Sequence, residues 1–352
     1  MIMPNNLGRQ YSLHADEYRE KAISVLDSGW YILGKEVEAF ENEWAEYIGT
    51  KYCVGLASGL DALWISFRLL GIHEGDEVIV CANAYIACVM GITINGATPV
   101  FVEPDKYNNI DAEKIEEVIT SRTKAILAVH LFGQACDMSK IMNIAQKYNL
   151  KVVEDCAQSH GNKWLGQTVG TFGDIGIYSF NGNKIITTSG GGALVSNNDE
   201  YVKKARFLST QAKEAMPYYE HKGIGYNYRM SNVVAGIGRG QLRVLDRRVK
   251  EKNHIFETYK EAFKEIDDIK MMPITEGCTS NQWLSVITLK EESKVKPTDI
   301  IEALEKENIE SRRIWKPMNL QPIYKDNVFY SHNESGISVG EDIFNLSLIH
   351  IS

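Results

Sequence analysis

The sequence predicts an α/β protein, with a mostly parallel sheet sandwiched by helices and a smaller α/β domain after it. Three observations lead there. Short β-branched runs alternate with helical patterns through the first half of the chain, the signature of parallel strands joined by crossovers on both faces. The 352 residues exceed one ordinary core, so two domains are expected, a large one over residues 1–240 with N-terminal helices and a small one over 241–352. Apolar content of 44% and charged content of 24% are those of a soluble globular protein.

Residues 14–27 and 35–48 read as helices; in the second, Val37, Phe40, Trp44, Tyr47 and Ile48 share one face. Cys53–Leu56 reads as a strand and Leu60–Leu70 as the helix after it. Further strands are expected at Glu77–Cys81, Pro99–Val102, Ala125–Val129 and Val152–Val153, with helices at Ala112–Thr120 and Met138–Asn149, and Ile175–Tyr178 is a short apolar run that leads into the Lys184 loop. Ser231–Ile266 reads as largely helical and leads into the small domain. That domain should hold a strand at Trp283–Leu289, a helix at Pro297–Lys306 and a strand near Glu310–Arg313, with Thr275–Ser280 as a loop.

The formal charge of −8 and pI near 5.6 argue against general nucleic-acid binding, whose footprint is a basic surface. They leave room for a phosphorylated substrate, which needs only a local site. Six cysteines without a CxxC pair or a dense spacing read as reduced, buried thiols of a cytoplasmic protein. The opening Met-Ile-Met-Pro-Asn-Asn has no basic stretch followed by an apolar one, and no run is long enough to span a membrane.

Four places could carry chemistry. Ala57-Ser58-Gly59 is a small-residue turn between a strand and a helix, which presents backbone N–H groups to an anion, though such turns are common. Tyr85 follows the Glu77–Cys81 strand, where an aromatic could serve the core or a ligand. Glu154-Asp155 closes a buried parallel strand, at the edge where open α/β sheets bind ligands. Asp155 could bind a metal, cap a helix or hold a cationic ring; lacking a His pair or a second carboxylate at ligand spacing, metal is the weaker reading. Lys184 lies in the loop Ser179–Gly192, rich in Asn, Thr and Gly, where it is either a solvated charge or a group close to a ligand.

Five motifs in order resemble the DegT/DnrJ/StrS family of sugar aminotransferases, within the aspartate-aminotransferase-like fold type I that uses pyridoxal 5'-phosphate (PLP). They are Ser28–Gly34, Ser58–Leu63, Glu154–Gln158, the Lys184 loop and Gly225–Ser231, and the likeness runs from about Asn6 to Phe344. The resemblance implies a catalytic Lys184 that bonds the cofactor and moves the proton, and an Asp155 that keeps the ring nitrogen protonated. It implies a phosphate held by the amides of Gly59 and Leu60, with Asp61 next in line, and by the Ser179 hydroxyl; the family often has Thr where Leu60 stands, so a hydroxyl contact is absent here. Tyr85 would stack on the ring and Gln158 would reach its hydroxyl, although Gln158 could equally be a polar residue at a helix start. Asn227 would come from the neighbouring subunit of a homodimer. His160 could touch the sugar or be a satisfied structural histidine.

The activity implied is transfer of an amino group from an amino acid, L-glutamate in the family, to a keto group of a nucleotide-linked deoxyhexose for polysaccharide biosynthesis. A PLP-binding regulator without turnover, or an impaired fragment, is the alternative. Residues up to Ser159-His160 look most like enzymes that aminate C3, and those from Ser179 onward like the branch that aminates C4. Lys184 points away from the dehydrating branch, which carries His instead. The closing Leu346–Ser352 resembles a translated sequencing adapter, so the small domain is expected to be truncated and to lack its last strand and helix.

Overall fold

The computed structural model describes residues 2, 6–331 and 338–350; Asn5 in the opening segment and Ile351 and Ser352 in the closing one lie outside the described residues. Helices α1 (Leu7–Leu13), α2 (Ala15–Ser28) and α3 (Lys35–Ile48) lead into β1 (Tyr52–Leu56), α4 (Gly59–Leu69), β2 (Glu77–Cys81), α5 (Ile86–Thr93) and β3 (Thr98–Val102). Next come β4 (Thr123–Val129), α6 (Met138–Tyr148), β5 (Lys151–Asp155), the two-residue strands β6 (Lys163–Trp164) and β7 (Gln167–Thr168), β8 (Ile175–Ser179), β9 (Gly192–Ser196) and α7 (Asp199–Ser209). The remainder is α8 (Asn232–Leu242), α9 (Leu245–Ala262), β10 (Ile269–Met271), β11 (Cys278–Thr279), β12 (Ser285–Leu289), α10 (Pro297–Lys306), β13 (Ser311–Arg313), β14 (Phe329–Tyr330), α11 (Val339–Leu346) and β15 (Ser347–His350).

The large sheet has eight strands in the order β1-β9-β8-β5-β4-β2-β3-β14. Only β9 runs against its neighbours, antiparallel to both β1 and β8. The others are mutually parallel, and β2, β8 and β9 are buried along their whole length, so they read as apolar runs rather than alternating ones. Trp44, Phe40, Phe180 and Tyr178 fill the space between α3 and the sheet, with Trp44 packed edge-on against both Phe180 and Tyr178.

Several elements differ from expectation. Residues 112–120 form two 3₁₀ turns, Ala112–Lys114 and Glu116–Val118, instead of one α-helix. The buried residues are Ala112, Ile115 and Val118, a spacing of three that matches three residues per turn. The stretch 231–266 is two helices separated at Arg243-Val244, and α8 packs on α2 so closely that a Cβ on Gly240 would lie 2.4 Å from the Glu17 carbonyl oxygen. Cys278-Thr279, expected as loop, pairs with Lys163-Trp164.

The end of the chain also departs from the expected loss of a strand. Ser347–His350 forms β15 inside a four-stranded antiparallel sheet ordered β10-β12-β15-β13, hydrogen-bonded on both sides. Leu348 and Ile349 are buried there. An apolar groove of about 360 Å³ lies on this sheet, lined by Tyr259, Phe263, Ile300, Leu304 and Leu348 among others. All six cysteines are unpaired, five of them buried. No helix among the described residues is long and apolar enough to cross a membrane.

Candidate active site

Parallel strands deliver their last residues to one edge of the sheet, and the candidate residues collect there. Asp155 ends β5, Ser179 ends β8, Ser58 follows β1, and Tyr85 follows β2 as the N-cap of α5. Helix α4 begins at Gly59, with the Ser58 hydroxyl accepting the Asp61 N–H at 3.1 Å. That cap uses the Asp61 amide and leaves the Gly59-Leu60 end of the turn as the anion-binding candidate. Gly59 is required there by close approach, since a Cβ would fall 2.8 Å from the Ser179 Cβ.

The loop carrying Lys184 is closed at its base by Phe180 N–H donating to Gly191 O and Thr188 N–H donating to Phe180 O, both at 2.9 Å. Inside it, Lys184 N–H donates to Asn181 O at 2.9 Å. The Lys184 side chain turns inward instead of into water, is buried, and holds its Nζ 4.5 Å from the centre of the Trp283 ring. Burial pushes its pKa down to about 8, with the charge of Asp155 pulling the other way. A lysine near 8 keeps a neutral, nucleophilic fraction at physiological pH.

Asp155 is 4% exposed, and both its oxygens are held. Oδ1 accepts the Ala157 N–H at 3.0 Å and Oδ2 accepts the Cys88 thiol at 3.1 Å. Gln158 is buried, and its Oε1 accepts the Phe132 N–H at 2.7 Å, so the group it can turn to a ligand is its NH₂. Tyr85 is half-exposed and stands 5.4 Å, centre to centre, from Trp315, which stacks on Phe132 at 4.8 Å.

The other half of the acidic pair is structural. Glu154 Oε1 accepts the N–H groups of Phe172 and Gly173, and Oε2 that of Gly170, each at 2.7 Å, fastening the loop before β8. His130, Glu154 and Cys156 lie close enough to suggest a buried metal trio. The Cys136 N–H donates to His130 Nδ1 at 3.1 Å, which leaves the proton on Nε2, directed at Glu154 Oε2 at 3.1 Å. Both imidazole nitrogens and both carboxylate oxygens are therefore committed to hydrogen bonds, against a metal centre.

His160 is structural by burial but is not the satisfied histidine expected, since neither ring nitrogen makes a hydrogen bond among the described residues. It is wholly buried among Trp44, Tyr178 and Phe180, and burial drives its pKa down to about 3, so it is neutral. Asn227 is exposed on the loop after α7, its backbone bridged to Thr210, and the carbonyl of the next residue, Tyr228, accepts the Ala57 N–H at 2.7 Å beside the Gly59 turn. Sequence reasoning missed Cys88, Trp283 and Trp315. Cys88 sits one helical turn past Tyr85 and was legible as a polar atom on the same face, whereas the two tryptophans arrive from the segments after α9.

Residues 13–348 match the DegT/DnrJ/EryC1/StrS aminotransferase family. The chain belongs to that family. EpsN of Bacillus subtilis (strain 168), named as a pyridoxal phosphate-dependent aminotransferase, is 41% identical over 348 residues, covering 97% of this chain and 87% of EpsN. The dTDP-3-amino-3,6-dideoxy-alpha-D-galactopyranose transaminase of Aneurinibacillus thermoaerophilus is 43% identical over 287 residues, 80% of this chain and 78% of that protein. The crystal structure of DesV from S. venezuelae superposes with a TM-score of 0.91 at 30% identity, covering 99% of this chain and 92% of DesV. The protein is thus a PLP-dependent aminotransferase of fold type I, and a regulator without turnover is not favoured.

Proposed function

We propose that this aminotransferase moves an amino group from L-glutamate to a keto group of a nucleotide-linked deoxyhexose, in the supply of amino sugars for polysaccharide. Relatives support the substrate class: besides the dTDP-sugar transaminase, a GDP-perosamine synthase of Vibrio cholerae is 37% identical over 318 residues, 89% of this chain and 86% of that protein. The observation that carries the chemistry is a buried Lys184, its pKa lowered to about 8 by burial, which feels the charge of the buried Asp155 at the end of β5.

The donor set fits pyridoxal phosphate. Gly59 and Ser179 pack so closely that a Cβ on Gly59 would meet the Ser179 Cβ at 2.8 Å, which sets the first N–H groups of α4 beside the Ser179 hydroxyl as donors for a phosphate. An aromatic face at Tyr85, a directed NH₂ at Gln158 and a carboxylate at Asp155 suit the face, the phenolic oxygen and the nitrogen of a pyridine ring. When bound, the cofactor supplies an electron sink for the carbon that loses its proton. In this division of labour Asp155 holds the proton on the ring nitrogen, and Gln158 orients the ring by donating to its oxygen. Lys184 Nζ would be the group that attaches the bound cofactor and, as a free amine, the base that takes the proton from the donor Cα.

Residues 1–240 form the cofactor-binding domain in this reading, and 241–352 a smaller domain whose Trp283 and Trp315 shield the site from water. The working unit is a homodimer, with Asn227 reaching the partner's phosphate site. Exposed Trp30, Tyr31, Tyr219 and Ile224 support an interface of that kind. The test is to load the purified protein with PLP, add L-glutamate and measure 2-oxoglutarate. The aminated protein is then offered dTDP- and GDP-linked 3-keto and 4-keto deoxyhexoses. No 2-oxoglutarate would remove glutamate as donor, and rejection of every sugar would remove the acceptor class.

A further inference from the structure

We propose that Cys88 is a positioning residue for the reaction, its thiol holding the Asp155 carboxylate in the orientation that meets the cofactor ring nitrogen. The proposal rests on the role given to Asp155 above. Cys88 is the third residue of α5 and is 3% exposed, and its Sγ lies 3.1 Å from Asp155 Oδ2. The opposite oxygen is held by the Ala157 N–H at 3.0 Å. One grip comes from the chain's own turn after β5 and the other from a different helix, so together they fix the carboxylate plane. With the Ala157 contact alone, the plane could swing about it.

The thiol is the donor of this pair. Burial raises its pKa well above the ordinary value and the neighbouring Asp155 charge raises it further, so the proton stays on sulfur. The Asp155 charge also acts on Lys184 and on Cys156, pulling the pKa of each upward. An S–H is a weak donor, so it orients the carboxylate while leaving most of its charge and its remaining lone pairs for the ring N–H. The same helix start carries Tyr85, whose carbonyl accepts the Cys88 N–H at 2.9 Å. The turn that would stack on the ring face therefore also sets the group at the ring nitrogen.

The experiment compares the parent protein with Cys88→Ala, Cys88→Ser and Asp155→Asn. It measures the PLP dissociation constant by dialysis, the pH titration of the bound cofactor's absorbance, and the thiol stretching band of the apoprotein. Cys88→Ala should raise the dissociation constant roughly three- to tenfold, as loss of one hydrogen bond to a charge would. It should also move the titration midpoint by about half a pH unit, and Cys88→Ser should restore both to within about twofold. In the apoprotein, the band identified by its loss in Cys88→Ser should shift to higher frequency in Asp155→Asn. A Cys88→Ala protein that matches the parent, or a Cys88→Ser protein no better than Cys88→Ala, would overturn the proposal, the second outcome showing that only side-chain volume matters. If Asp155→Asn leaves the titration in place, Asp155 is not the ring's partner and both assignments fall. If it abolishes the titration while Cys88→Ala does nothing, only the role of Cys88 falls.

Discussion

Replacing Asp155 by Asn removes one charge from a site where every other contact can be kept. The Ala157 N–H can only donate, so the new amide must turn its oxygen to that group, which sits 3.0 Å from Oδ1 in the parent. Its NH₂ then faces Cys88, whose sulfur can turn its proton away and accept weakly, and it also faces the ring nitrogen. Folding should therefore lose only about 1 kcal/mol, the net value of an ordinary hydrogen bond. A donor facing the ring nitrogen favours the unprotonated ring, and the electron sink weakens. Losing about 3 kcal/mol of preorganised stabilisation at that point slows the half-reaction with glutamate at least about a hundredfold. Rapid-mixing absorbance of the PLP-loaded variant with saturating L-glutamate measures that rate, and a melting curve checks the fold. A rate within a few-fold of the parent would show that Asp155 is structural, like its neighbour Glu154.

Further outcomes follow from the same geometry. Gly59→Val drives a branched side chain into Ser179, where even a Cβ would come within 2.8 Å, so PLP affinity should fall by at least about tenfold, read by fluorescence titration. Because Lys184 is pushed down to about 8, and only the neutral amine is a nucleophile, the rate at which PLP attaches to the apoprotein should rise with pH up to about 8 and then level off. A rate that kept rising towards pH 10 would show a solvated lysine. Leu348→Ala in the central strand β15 should destabilise the small sheet by about 2 kcal/mol, the low end for a buried leucine, because Leu348 borders an open groove. PLP binding should survive at temperatures where the melting curve shows that sheet already lost.

The alternation of strand and helix made the large sheet legible, and Val152-Val153 pointed to its carboxyl edge at Asp155 because a strand buried on both faces leaves an unbroken apolar run. The Gly59 turn and the Lys184 loop were legible as residue types, but their meeting was not. It depends on β1, β8 and β9 being neighbours across more than a hundred residues of chain. Trp283 and Trp315 carried no local signal, since an apolar residue near a strand says nothing about which distant lysine it covers. Residues 112–120 misled because a nine-residue apolar pattern fits both the α and the 3₁₀ period. The tail misled for a different reason: Leu348 and Ile349 are strand formers whatever their origin, and a gap between β12 and β13 gave them partners.

The most direct test of the assignment at the centre of the site is to reduce the PLP-loaded protein with borohydride, digest it and locate the pyridoxyl group by mass spectrometry. The expected result is a single modified peptide containing Asn183-Lys184-Ile185, absent when Lys184→Ala is treated in the same way. Attachment to another lysine, or equal attachment in the Lys184→Ala protein, would contradict it.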